Sequence, residues 1–159
     1  MGARLILAVL LSLALVTTSL VPAADTAYAQ SGRWIEVDVG SGMAYAVEDG
    51  QIVHSAAVTV GGPYFPTPRG TFTINRRVAN EIMDSSTIGI PNTSPTGYYL
   101  TGVLYTQYFV DGVALHYNYW SPDEAFGSAA GSHGCVGLRL SDAEFFWNFA
   151  DIGTPVIVY

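Results

Sequence analysis

Residues 131–136 place a histidine and the single cysteine of the chain two positions apart. If this segment is extended, the side chains of His133 and Cys135 project to the same face and can approach each other. A thiol is a poor nucleophile until it loses its proton, and a neighbouring imidazole can accept that proton. The spacing therefore predicts that Cys135 is a nucleophile and that His133 is its general base.

The residues beside this histidine could support the same chemistry. Gly134 has no side chain, so a substrate carbonyl could approach the backbone closely at that point. The backbone N–H groups of Gly134 and Cys135 are candidates to stabilise an oxyanion. His133 also needs a partner that fixes its tautomer, and we expect a backbone carbonyl, such as that of Ser132, to provide it. No acidic residue lies close in sequence, so no side-chain triad is predicted.

A metal site is the alternative interpretation of the same residues. His116, His133 and Cys135 are all suitable zinc ligands, and Asp123 or Glu124 could complete the set. A His-x-Cys spacing is unusual for zinc, however, and the chain has no Cys-x-x-Cys pair. We therefore expect no metal and no other cofactor. Taken alone, a histidine that ends an apolar run, as His116 does, is more often structural than catalytic.

The charge of the chain excludes one class of partner. The net charge is −7, and the six basic residues are all arginines. Such a chain offers no basic stripe to a phosphate backbone, so we expect no nucleic-acid partner. The lone cysteine cannot form a disulfide within the chain, and we expect a monomer.

The first 29 residues read as a secretory signal peptide. Arg4 precedes an uncharged apolar run at residues 5–16, and Ala27-Tyr28-Ala29 matches the small-x-small cleavage pattern. The apolar run is short for a membrane span, so a permanent anchor is the weaker interpretation. We expect cleavage after Ala29, no stable membrane anchor afterwards, and one mature domain at residues 30–159. This domain would act in the periplasm, in the cell wall or outside the cell.

The mature part reads as mainly β. Apolar and polar residues alternate at residues 34–39, and short strands with tight turns are predicted to follow up to residue 60 as an antiparallel module. Residues 85–97 are rich in proline and glycine and predict an irregular loop. Ser141 and Glu144 form a capping-box pattern, which predicts one short helix near the C-terminus.

Several ordered segments resemble the signature of the L,D-transpeptidase family, also called the YkuD-domain family, over residues 34–159. They are His116 followed by Ser132-His133-Gly134-Cys135-Val136, Thr67-Pro68-Arg69-Gly70-Thr71-Phe72, Tyr105-Thr106-Gln107-Tyr108-Phe109, Tyr119-Trp120 with Phe126-Gly127, and Gly153-Thr154-Pro155-Val156. The resemblance implies a mainly β, sandwich-like catalytic domain with one short C-terminal α-helix. It also implies a substrate, the stem peptides of peptidoglycan.

The reaction that the resemblance implies has two halves. A cysteine forms a thioester with the L-centre of a diamino acid in a stem tetrapeptide, and D-alanine leaves. An amine of a second stem then resolves the thioester. If water resolves it instead, the enzyme is an L,D-carboxypeptidase; a wall-binding domain without activity is a further alternative.

Residue roles follow from the resemblance by position. Cys135 is the nucleophile, His133 the base, Ser132 orients His133, and Gly134 with Cys135 supplies the oxyanion donors. We expect the substrate site to include His116, Trp120, Tyr105 and Arg139, with His116 coming from a distant strand. One position departs from the family, because Gly137 stands where asparagine or arginine is usual. We expect this glycine to loosen the loop and Arg139 to replace part of the lost contact.

Overall fold

The structure is a computed structural model that describes residues 32–159, apart from the side chains of residues 129–131. The predicted signal peptide and its cleavage site lie outside the described residues. Within them, no helix is long and apolar enough to cross a membrane.

The described chain forms two β-sheets and one α-helix, as the sequence predicts. The strands are β1 (Arg33–Asp38), β2 (Met43–Glu48), β3 (Gln51–Ala57), β4 (Thr59–Gly61), β5 (Gly70–Thr73), β6 (Arg76–Asp84), β7 (Tyr99–Val110), β8 (Val113–Tyr117), β9 (Ser128–Ser132), β10 (Val136–Leu138) and β11 (Pro155–Val158), and the helix is α1 (Leu140–Phe149). Two short 3-10 turns lie at Ser85–Ile88 and Asp123–Ala125.

The first sheet begins with the predicted meander. In β1 the alternating residues Ile35 and Val37 are fully buried. Asp49 and Gly50 both adopt positive φ angles, of 51° and 78°, and this is the backbone that a tight two-residue hairpin between β2 and β3 requires. The sheet has the strand order β3-β2-β1-β11-β5.

The second sheet has the strand order β6-β7-β8-β10-β4-β9. The prediction of an antiparallel module holds for β1, β2 and β3 but not for the whole domain. The pairs β1–β11, β8–β10 and β4–β9 are parallel. Parallel neighbours come from distant parts of the chain, so hairpin signals in the sequence do not reveal them.

The strand predicted to continue to residue 60 is in fact divided. It separates at Val58 into β3, in the first sheet, and β4, in the second. Val58 is fully buried, so the chain crosses between the sheets through the core.

The periodicity of the sequence also does not reveal β6. Most of its side chains are exposed or half-buried, so no clear apolar alternation marks it. Its long antiparallel pairing with β7 holds it in the sheet.

The predicted helix is present, but its predicted cap is not. Helix α1 begins at Leu140, its N-cap is Arg139, and no side chain caps it. Ser141 therefore lies inside the helix, and the capping-box prediction is wrong. The helix buries Ala143, Phe146 and Phe149 against a core to which both sheets contribute.

Candidate active site

Most of the predicted site residues meet in one cavity of about 180 Å³. Its wall includes five of them, His116, Trp120, Ser132, His133 and Cys135. Met83, Tyr98 and Leu100 complete the lining. These three were not predicted, because they come from β6, β7 and the segment just before β7, which only the fold brings beside the cysteine.

The backbone around the cysteine is not extended. Strand β9 ends at Ser132 and β10 begins at Val136, and Gly134 has a φ of 104° between them. This left-handed backbone favours glycine, because a side chain would be strained there. The same-face argument for His133 and Cys135 therefore does not apply, although both line the cavity. We call residues 133–135 the cysteine loop.

The Ser132 hydroxyl binds two backbone groups of the cysteine loop. It donates a hydrogen bond to the Cys135 carbonyl at 2.6 Å and accepts one from the Gly134 N–H at 3.1 Å. The Gly134 N–H is thus already engaged, so Cys135 N–H is the stronger candidate for an oxyanion donor. These bonds hold the loop itself. The Ser132 carbonyl, which was expected to orient His133, accepts a hydrogen bond from the Gly62 N–H at 3.5 Å.

The hydroxyl of Thr67 holds the same loop from outside. It donates to the Gly134 carbonyl at 2.9 Å and accepts from the Gly61 N–H at 2.9 Å. Thr67 is buried, and its bond to the Gly134 carbonyl is shielded from water, whereas the bond from the Gly61 N–H is partly buried. Its role was not predicted, although the Thr67–Phe72 segment was recognised as part of the family pattern.

His116 is held in the tautomer that a general base requires. Its Nδ1 lies 2.9 Å from the Tyr117 carbonyl. A carbonyl only accepts, so Nδ1 carries the proton and Nε2 keeps its lone pair. Burial lowers the pKa of His116 to about 4, although its bond to Tyr117 opposes this shift.

The position of His116 follows from the pairing of the strands. It comes from β8, which pairs in parallel with β10, the strand that follows Cys135. The indole of Trp120 stacks on its ring at 5.4 Å. His116 therefore comes from a strand that is distant in sequence but is paired with the strand that follows Cys135.

His133 is held mainly by aromatic packing. Its ring lies 4.7 Å from the ring of Phe65 and 5.2 Å from that of Tyr98. Within the part of the chain that the structure describes, no group hydrogen-bonds this imidazole and fixes its tautomer. The geometry thus favours His116 over His133 as the base, and it favours a packing role for His133.

The thiol of Cys135 is partly accessible but lies in an apolar environment. Its Sγ is 3.8 Å from the Gly112 carbonyl. Burial raises the pKa of Cys135 to about 11, and a hydrogen bond from the Ala114 backbone opposes this shift. The thiol is therefore protonated at neutral pH, and as a nucleophile it would have to lose its proton while the new bond forms.

Comparison with known proteins shows the family of the chain. The family model of the YkuD L,D-transpeptidase catalytic domain matches residues 32–158. The chain belongs to this family. The probable L,D-transpeptidase 3 of Mycobacterium tuberculosis is 40% identical over 100 residues, which are 63% of this chain and 36% of that protein.

Solved structures of L,D-transpeptidases share the fold. An L,D-transpeptidase from Mycobacterium smegmatis is 35% identical, with a TM-score of 0.76 over 81% of this chain and 59% of that one. L,D-transpeptidase 3 of M. tuberculosis in complex with a faropenem-derived adduct is 32% identical, with a TM-score of 0.74 over 80% and 60% of the two chains. This chain thus spans about a third of the curated relative and three fifths of the solved chains.

Two predicted substrate residues of this L,D-transpeptidase domain lie away from the cavity. The ring of Tyr105 packs 5.9 Å from that of Trp147 on α1. Arg139 binds the Asp123 carboxylate at 3.0 Å and stacks over Phe126 at 4.4 Å. Neither residue lines the cavity of Cys135, because Arg139 faces the 3-10 turn and Tyr105 faces the helix.

Arg139 also bears on the metal interpretation. Its ion pair engages Asp123, which was a candidate zinc ligand. Among residues 32–159, with residues 129–131 set aside, no three His, Cys, Asp or Glu side chains come together as metal ligands would.

Gly137 is not a loose point of the L,D-transpeptidase domain. It is fully paired within β10, between His116 of β8 and Thr59 of β4. A Cβ at this position would lie 2.6 Å from Asn118 Nδ2 and would also overlap the Thr59 hydroxyl. The expectation of a loosened loop is wrong, because the missing side chain is replaced by packing from Asn118.

Proposed function

We propose that this chain is a peptidoglycan L,D-transpeptidase whose nucleophile is Cys135 and whose general base is His116. The observation that carries the proposal is the imidazole of His116, fixed with Nδ1 on the Tyr117 carbonyl, in the same cavity as the thiol. A base held in one tautomer beside a protonated nucleophile is the arrangement that thioester formation needs.

In the first half-reaction the Cys135 Sγ attacks the carbonyl carbon between the L-centre of a diamino acid and D-alanine. The thiol proton passes to Nε2 of His116 as the S–C bond forms. The Cys135 N–H donates to the oxyanion of the tetrahedral intermediate. His116 then gives the proton to the departing nitrogen, D-alanine leaves, and a thioester remains.

In the second half-reaction an amine of another stem attacks the thioester. His116 accepts the amine proton, the amide bond forms, and the proton returns to the leaving sulfur of Cys135. Water in place of the amine would make the enzyme an L,D-carboxypeptidase. The cavity is lined by Met83, Leu100 and the Trp120 indole, and an apolar wall of this kind favours an acceptor that displaces water.

The family resemblance and the signal-peptide pattern also support a site of action outside the cytoplasm. We propose that the domain works on the cell wall after export and that it recognises the stem peptide directly.

The first prediction concerns the nucleophile. Faropenem, a β-lactam, should acylate the wild-type protein once, because an attacking thiol opens its strained ring. Intact-mass spectrometry should show one faropenem-derived adduct on the wild type and none on Cys135→Ala. An adduct that persists on Cys135→Ala would reject the assignment of the nucleophile.

Product analysis separates the alternatives within the enzyme class. The wild type is incubated with a disaccharide tetrapeptide, and the products are weighed by mass spectrometry. Loss of D-alanine with a cross-linked dimer supports the transpeptidase, whereas loss of D-alanine with tripeptide alone supports the carboxypeptidase. If no D-alanine is released, the domain is a wall-binding module.

A further inference from the structure

Asn118 is a buried polar residue that the reaction as written above does not use. It is 3% exposed. Its Nδ2 donates to the Thr59 hydroxyl at 3.0 Å and to the Ser121 hydroxyl at 2.8 Å, and its Oδ1 accepts from the Ser121 N–H at 3.2 Å. The carboxamide thus closes the turn that runs from residue 118 to residue 121 and ties this turn to β4.

This turn carries the aromatic wall of the active site. Trp120 lies inside it and stacks on His116 with an interplanar angle of 25°. The Tyr117 carbonyl, which fixes Nδ1 of His116, lies directly before it. Asn118 itself donates its backbone N–H to the Leu138 carbonyl at 2.9 Å, so the turn is attached to β10 as well.

The space for the carboxamide exists because residue 137 is glycine. A Cβ at Gly137 would lie 2.6 Å from Asn118 Nδ2 and 2.9 Å from Asn118 Cβ. Real Cβ atoms essentially never approach heavy atoms so closely. Asn118 and the Thr59 hydroxyl to which it donates therefore fill the volume that a side chain at position 137 would need. Position 137 lies on β10, the strand next to His116.

We propose that Asn118 is a positioning residue that holds Trp120 against His116, and that Gly137 is the matching gap that admits its carboxamide. The proposal rests on the proposed function, since it assigns a purpose to the placement of His116. If the proposal holds, Asn118 and Gly137 are energetically coupled, so a substitution at one position alters the effect of a substitution at the other.

The effect on the reaction should appear in the pH profile of acylation. In Asn118→Ala the turn loses three hydrogen bonds, Trp120 separates from His116, and water reaches the imidazole. Acylation by faropenem at pH 7 should slow by about 10-fold to 100-fold, because the base is misplaced. The acid limb of the profile should also move upward in pH, because the desolvation that lowers the pKa of His116 is relieved.

The other titratable groups in the cavity do not account for an upward move of the acid limb. The titratable side chains that face His116 there are Tyr98, His133 and Cys135, and none of them is a carboxylate. If Asn118 only packed against its neighbours, Asn118→Ala would slow acylation by the same factor at every pH. The acid limb of the profile would then stay at the same pH.

A double-mutant cycle tests the coupling between positions 118 and 137. In the wild type, Gly137→Ala forces the new methyl against the carboxamide and should slow acylation by about 10-fold or more. In an Asn118→Gly background both the Nδ2 and the Cβ contacts are gone, and the Thr59 hydroxyl, no longer bound by Nδ2, is free to rotate. There Gly137→Ala should slow acylation by at most about 3-fold. Equal costs in both backgrounds would overturn the proposal.

Controls separate this proposal from the proposed function. Asn148→Ala removes an exposed asparagine from α1 and should leave both the rate and the acid limb unchanged. Circular dichroism confirms that each variant is folded. Trp120 is already 40% exposed, so the readout concerns the ring face that stacks on His116. The emission of Trp120, taken as the difference between each protein and its Trp120→Phe counterpart, needs no catalysis. In Asn118→Ala it should be quenched more by acrylamide, with at most a small red shift, because that face becomes accessible.

The outcomes are distinct. If the wild type is not acylated at Cys135, the proposed function fails, and the Trp120 emission still decides whether Asn118 holds the turn. If the wild type is acylated but Asn118→Ala keeps its rate, its acid limb and its Trp120 emission, the positioning role is rejected.

Discussion

At the scale of single residues, burial keeps both reacting groups uncharged. The pKa of His116 is lowered to about 4 and that of Cys135 is raised to about 11. Burial disfavours the charged form of each group. Between these values the site therefore holds a neutral imidazole and a protonated thiol, instead of a thiolate–imidazolium pair, and proton transfer must accompany the attack.

This protonation state predicts the pH dependence of alkylation. Only the thiolate reacts with iodoacetamide, so the rate for Cys135 should rise about tenfold per pH unit from pH 7 to pH 10 without a plateau. A thiolate–imidazolium pair would instead give a plateau near neutral pH. The measurement is the alkylation rate of the wild type across this range, with loss of free thiol as the readout.

Substitutions of His116 and His133 should have different effects on the rate of acylation. His116→Ala removes the base and should slow acylation by faropenem by about 10²–10⁴-fold. His133→Ala removes packing against Phe65 and Tyr98 and should have a much smaller effect. If His133→Ala abolishes acylation and His116→Ala does not, the roles are those that the sequence alone suggested.

At the scale of elements, the cysteine loop depends on β4, which is remote in sequence, and on β9, which directly precedes the loop. Thr67 joins the loop to the end of β4 through the Gly61 N–H and the Gly134 carbonyl. On its other side, Ser132 at the end of β9 binds within the loop itself. The loop is thus held between β4 and β9, and this fixes the backbone of Cys135, the proposed nucleophile.

Thr67→Val tests this connection with a side chain of the same shape. The change leaves the half-buried Gly61 N–H and the buried Gly134 carbonyl without their partner. It should lower the free energy of unfolding by about 1–3 kcal/mol. Acylation by faropenem should slow as well, because the loop loses its position. Urea denaturation measures the first effect. Thr73→Val, at an exposed position of β5, is the control and should change neither quantity appreciably.

At the scale of the whole molecule, the described domain is one body with a single shared core. Both sheets and α1 contribute to it. The parallel pair β1–β11 joins the beginning and the end of the domain. The crossing at Val58 joins the two sheets. The family model covers this region as one unit, residues 32–158.

The remaining prediction concerns processing of the full chain. Protein recovered from the envelope or the medium should begin near Gln30, because Ala27-Tyr28-Ala29 matches a cleavage pattern. N-terminal sequencing provides the measurement. Ala29→Glu should block cleavage, whereas Ala23→Glu, outside the pattern, should not. Recovery of a chain that starts at Met1 in the membrane fraction would show an uncleaved anchor.

The sequence by itself determined the family, the mainly β class and the candidate nucleophile. These follow from contiguous residues: the Ser-His-Gly-Cys segment around Cys135, and the alternation in β1 that buries Ile35 and Val37. Such patterns span a few residues, and they indicate which side chains are reactive and which face of a strand or helix is buried. They do not depend on which distant strands become neighbours.

Only the tertiary structure decided how the site is assembled. The parallel pairing of β8 with β10 places His116 beside the cysteine, and its carbonyl partner fixes its tautomer. The fold also moves Arg139 away from the cavity and fills the gap at Gly137 with Asn118. Protonation state, tautomer and packing depend on burial and on hydrogen bonds between remote residues, and these quantities exist only once the sheets have formed.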